Sequence, residues 1–228
     1  MAEQASEKAP ARTFLQPIAA PSILGLYGFA GSTFIVAAWL AHWYGNGNPE
    51  AQFYLFPFAA MFGGVAQFAA GMWAYKARDG LATAMHGMWG AFWLGYGILN
   101  LLLATKTIQD NPLLHVSFGY WFIALGFITF MGAIAAMAEN LGLAAVLHTL
   151  WIASGLLAIG QLLPSEGWNI AAGWVLLLSA LCAWYAASAL MFEGIFGRPI
   201  LPMGATEKAT REPDVATGVG EPGVMKGQ

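Results

Sequence analysis

Six apolar stretches constrain this chain more than any other feature, since each is close to the about 20 residues that a helix needs to cross a hydrocarbon layer of about 30 Å. They cover residues 23–43, 53–75, 83–104, 114–138, 141–163 and 170–192. The breaks between them are turn-forming: Gly45-Asn46-Gly47-Asn48-Pro49, Lys76-Ala77-Arg78-Asp79-Gly80, Gln109-Asp110-Asn111-Pro112, Glu139-Asn140 and Pro164-Ser165-Glu166-Gly167. The Glu139-Asn140 break is so short that it predicts a tight hairpin of the fourth and fifth helices. The pattern predicts an all-α integral membrane protein of six transmembrane helices.

Composition agrees. With 58% hydrophobic and 9% charged residues and a mean hydropathy of +0.60, a water-soluble fold could not hide its apolar surface. No basic stripe interleaved with aromatics is present, so nucleic acid is not an expected partner. The single Cys182 excludes an internal disulfide.

Basic residues set the expected orientation, because Lys and Arg stay on the cytoplasmic side during insertion. Six spans put Lys8, Arg12, Lys76, Arg78, Arg198, Lys208, Arg211 and Lys226 on one side and Lys106 alone on the other, which predicts both termini inside. The expected organisation is a cytoplasmic N-terminal segment over 1–20, a transmembrane domain over 21–204, and a disordered cytoplasmic tail over 205–228, rich in Gly, Glu, Lys, Thr and Pro.

The spans offer mild polar chemistry. No carboxylate sits near the middle of any, and none contains a lysine for a Schiff base, so a carboxylate-driven pump and rhodopsin-like photochemistry are not expected. Ser32, Thr33, Gln67, His86, Asn100, Thr129, His148, Thr149, Ser154 and Ser179 remain. His86 and His148 each serve either as a hydrogen bond to a neighbouring helix or as one of two axial haem ligands in an electron-transfer protein. No phosphate loop, metal cluster or nucleophile–base pair occurs at useful spacing, so no enzyme, metal or other cofactor is expected.

Several motifs follow one another in order. They are Leu24-Gly25-Leu26-Tyr27-Gly28-Phe29 with Ser32-Thr33, then Gly63-Gly64-Val65-Ala66-Gln67 with Ala70-Gly71 and Tyr75-Lys76, then Gly90-Ala91-Phe92-Trp93-Leu94. Leu156-Leu157-Ala158-Ile159-Gly160, Ala172-Gly173-Trp174 and Tyr185 continue them, and Phe196-Gly197-Arg198-Pro199-Ile200-Leu201-Pro202-Met203-Gly204 ends the run. Over residues 21–204 the chain resembles the acetate uptake transporter family, the YaaH/SatP-like acetate and succinate permeases. The resemblance implies a six-helix protomer with its own pore, a homo-hexamer in the inner or plasma membrane, and a small carboxylate as substrate. It also implies a hydrophobic pore constriction, which falls on Phe29, Trp89 and Leu150. The chain departs from the family where Ala20-Pro21-Ser22-Ile23 replaces its Asn-Pro-Ala-Pro opening, where Trp89 replaces a tyrosine, and where Glu139-Asn140 replaces basic residues.

At about 100° per residue, Ser32 and Thr33 share a helix face with Phe29, and His86 and Trp93 share one with Trp89. His148 points about 160° away from Leu150, towards a helix or lipid. Ser32, Thr33, Gln67 and His86 are therefore the expected substrate-binding donors beside the neck. A membrane sensor or scaffold that binds carboxylates without passing them is the remaining alternative.

Overall fold

A computed structural model describes residues 18–206; the expectations for 1–17 and 207–228 lie outside the described residues. Among the described residues six long apolar helical spans form the molecule. They are α1 (Pro21–Leu40), a composite second span, α4 (Gly80–Ala104), α5 (Pro112–Ala136), α6 (Leu141–Leu162) and α7 (Glu166–Phe196). The second span joins α2 (Ala51–Ala59) to α3 (Gln67–Ala77) through a π-helical segment, Ala60–Ala66.

Residues in the sequence breaks start the helices. Asp79 accepts a hydrogen bond from the Ala82 amide at 2.8 Å to cap α4, and Asn140 accepts from Leu143 at 2.8 Å to cap α6. Asn111 caps α5 by accepting from Leu113 at 2.9 Å, with Pro112 in the first turn, where its missing N–H costs nothing. Each cap satisfies amides that the helix itself leaves without a partner.

Helices α5 and α6 pack as the expected hairpin, α7 lies against both α6 and α1, and α4 packs on the second span. Small residues let the backbones approach. Ser179, Ala183 and Ala187 are fully buried on α7, and the Ser179 hydroxyl donates to the Val146 carbonyl of α6 at 3.0 Å. On α4 close approaches are made by Gly90, whose added Cβ would lie 2.6 Å from the Phe68 amide, and by Gly87, whose amide would lie 2.7 Å from a Cβ added at Gly71; Ala91 is exposed and Gly95 faces open space.

Beyond α7 the chain turns at Gly197, in the left-handed region at φ +67°, and runs back as a strap over the α5–α6 turn. The amides of Leu141 and Gly142 donate to the Gly204 and Met203 carbonyls at 3.1 and 3.0 Å, and Thr206 donates to the Glu139 carbonyl at 3.1 Å. Tyr185 holds the strap from the other side by donating to the Pro202 carbonyl at 2.8 Å. The Phe-Gly-Arg-Pro-Ile-Leu-Pro-Met-Gly run thus supplies acceptors to the orphan amides at the start of α6.

Candidate functional site

Two cavities enter the bundle from opposite ends. The smaller, about 40 Å³, opens at the end where α1 begins and α7 finishes; Ser22, Gln67, Asp79, His86 and Glu139 give it polar character. The larger, about 850 Å³, opens at the far end. Phe29, Trp89 and Leu150 all line the small cavity, and Trp89 and Leu150 line the large one as well. The three are 2–3% exposed. Phe29 and Trp89 meet edge to face with ring centroids 6.2 Å apart, a favoured aromatic geometry.

The α4 stripe foreseen from helical spacing lines both cavities. His86 faces the small cavity, Trp89 both, and Trp93 the large one. Aromatic packing then continues from Trp89 through Phe92 to Phe118 and Phe122, at centroid separations of 5.2, 6.2 and 5.8 Å. These rings give the far cavity a stiff apolar wall.

Local sequence explains how the polar groups are placed. Gly25 leaves room for the His86 imidazole, since a Cβ there would lie 2.5 Å from the ring. His86 Nε2 lies 3.2 Å from the Ser22 hydroxyl, while its Nδ1 is buried with no partner. Gln67 Oε1 is likewise buried and unpaired in the small cavity. In the large cavity Thr33 Oγ1, Trp93 Nε1 and Asn169 Oδ1 are in the same condition. Buried polar atoms are normally satisfied, so five orphans lining two cavities mark places for water or a polar guest.

Ser32 departs from expectation. It lines neither cavity: its hydroxyl donates to the Ala59 carbonyl at 3.1 Å and accepts from the Gly63 amide at 2.7 Å. A π-helical turn widens the hydrogen-bond step, and Ser32 fills the gap this leaves in the second span. His148 follows expectation, accepting from Trp151 Nε1 at 3.1 Å and lining neither cavity. It therefore shares neither of these two cavities with His86. Trp93 and Asn169 were not foreseen as polar liners, because only the fold reveals which donors and acceptors lack partners.

Residues 4–197 match the GPR1/FUN34/yaaH family. The chain belongs to that family. It is 28% identical over 190 residues to the succinate-acetate/proton symporter SatP of Escherichia coli K12, covering 82% of this chain and 96% of the relative. It is 26% identical over 168 residues to ammonia transport outward protein 3 of Saccharomyces cerevisiae, covering 73% of this chain and 60% of that one. The solved structure of the bacterial acetate channel SatP superposes with a TM-score of 0.74 at 26% identity, covering 82% of this chain and all of that one. This family member is a multi-pass membrane protein with the channel's all-helical fold, and the relatives named above are transporters or a channel, not enzymes.

Proposed function

We propose that this chain passes small carboxylates, acetate and succinate among them, along a route inside each protomer that joins the two cavities at Phe29, Trp89 and Leu150. One observation carries the reading: Trp89 and Leu150, almost completely buried, line both cavities, so a solute going from one to the other passes them. The likeness to the SatP symporter and channel supports the substrate class.

A greasy neck sheds water from an ion, which costs free energy unless hydrogen-bond donors stand close on both sides. Gln67 and His86 stand on the side of the termini, and Thr33, Trp93 and Asn169 on the far side. Ser32 acts through the shape of the second span instead. The passage needs no carboxylate of its own, because the substrate brings one.

We place both termini in the cytoplasm, in the inner or plasma membrane, on the strength of the charge asymmetry. A homo-hexamer with one passage per protomer belongs to the same reading. The exposed apolar side chains of the second span, among them Tyr54, Phe58, Phe62 and Trp73, supply a face for it.

Uptake of labelled acetate into proteoliposomes tests the passage, comparing the parent with Trp89→Ala and Leu150→Ala. Altered flux in the variants is expected. Unchanged flux in both, beside clear parent activity, removes the neck; carboxylate binding without flux favours a sensor.

A further inference from the structure

Two histidine–carboxylate pairs flank the mouth of the large cavity, and the passage described above makes no use of them. His42 Nε2 lies 3.4 Å from Glu166 Oε1, and His115 Nε2 lies 3.0 Å from Asp110 Oδ1. All four residues line the cavity. They come from the end of α1, the start of α7, the α4–α5 turn and the start of α5, so the pairs form a rim across separate elements.

His115 has a second partner. Its Nδ1 lies 2.8 Å from Gln161 Oε1 of α6. An imidazole whose two nitrogens both face oxygen acceptors donates from both, and that is the cation. In the neutral ring one nitrogen is an acceptor, which then faces either the Asp110 carboxylate or the Gln161 oxygen unless that amide turns over.

The charge at this end follows from a short inventory of the described residues. Glu50, Asp110 and Glu166 are the carboxylates and Lys106 the single lysine, giving a net charge of −2 with the imidazoles neutral and zero with both protonated. Glu50 and Lys106 lie outside the cavity lining. The nearby tyrosines keep their protons in hydrogen bonds: Tyr96 donates to Gln52 Oε1 at 2.8 Å, and Tyr44 to the Ile35 carbonyl at 2.6 Å. The histidines are the groups here whose kind changes charge between pH 5 and 8.

We propose that the His42–Glu166 and His115–Asp110 pairs form a charge filter that admits carboxylate anions to the large cavity when the histidines are protonated and repels them when they are neutral. It rests on the proposed passage of carboxylates. A mouth of one sign changes the local concentration of a charged solute, and low-dielectric walls such as the Phe92 and Phe118 rings focus that field. Acidification on this side then speeds entry through the protein's own charge, separately from protonation of the substrate.

The test is exchange of labelled acetate in proteoliposomes of the full chain, with equal pH on both faces, the acetate anion held constant, and empty-vesicle leakage subtracted. The parent is expected to exchange at least about threefold faster at about pH 5.5 than at about pH 7.5 in low salt, with the ratio shrinking in about 0.5 M salt. Asp110→Asn with Glu166→Gln is expected to raise the rate at the higher pH to the parent's acid rate. His42→Gln with His115→Gln is expected to hold the low rate at both. Glu50→Gln, off the lining, keeps the parent ratio, and a single gel-filtration peak for every variant excludes misfolding. Parent exchange with no pH ratio, or the same ratio in both double variants, overturns the filter and leaves the passage standing. A parent that exchanges no acetate at either pH overturns both.

Discussion

Trp89 donates its indole N–H to the Thr129 hydroxyl at 2.9 Å, and Thr129 in turn donates to the Leu125 carbonyl at 2.7 Å. The bulky ring that stands at the junction of the two cavities is therefore pinned to α5 through a side chain of the fourth span. An indole fits this role where a phenyl ring would not, because its N–H gives the ring a fixed direction.

Thr129→Val keeps the volume and removes the acceptor. Leaving the buried indole N–H unpaired is expected to cost about 1–3 kcal/mol, read as a lower melting temperature in detergent, while Thr129→Ser restores it. Acetate flux is expected to change with Val and to return with Ser. Equal melting temperatures in all three proteins would show that the tether carries no energy.

Trp93 calls for the opposite outcome. Its indole N–H is buried without a partner, so replacing it with Phe relieves an unmet polar group, which offsets the ring packing lost against Phe92 and Tyr96. Trp93→Phe is expected to leave melting within about 1 kcal/mol of the parent and to lower acetate flux several-fold. A stable variant with parental flux would remove Trp93 from the passage.

The second span offers a separate check at Ser32. Ser32→Ala strips a donor from the Ala59 carbonyl and an acceptor from the Gly63 amide at once. In an apolar layer this is expected to cost about 1–2 kcal/mol of stability. Ser32→Cys, with weaker hydrogen bonding, is expected to fall between the two by thermal unfolding.

Two glycines on α4 differ in what they face. Gly90→Ala would drive a methyl into the Phe68 backbone and part α4 from α3, whereas Gly95→Ala meets nothing within 4 Å. Gly90→Ala is expected to fail at expression or to melt well below the parent. Gly95→Ala is expected to behave as the parent within a monomer, and a changed elution volume for it alone would put that face in a contact between copies.

Much of this architecture is legible in the sequence because a bilayer leaves backbone groups few ways to be satisfied. Asp79, Asn111 and Asn140 sit in breaks that were recognisable as breaks, and each proves to cap the helix that follows. The His86, Trp89 and Trp93 stripe was equally readable, since α4 is a regular helix and spacing alone fixes its faces. Ser32 was misread for a definite reason. Helical spacing gives the direction of a side chain but not what its neighbour presents, and here the neighbour has a π-helical turn with a carbonyl and an amide to fill. The rim was hidden for a similar reason: His42 meets Glu166 only after α1 and α7 have packed, and His115 meets Gln161 only after α5 and α6 have.

The strap from Gly197 to Thr206 has a consequence for how the molecule is made. It seals the turn between the fourth and fifth spans, yet it is the last of the described chain to leave the ribosome. The Leu141 and Gly142 amides must therefore be met by water until translation has passed the sixth span. A chain interrupted just before Met203 would insert every helix and still lack the clasp that closes this turn.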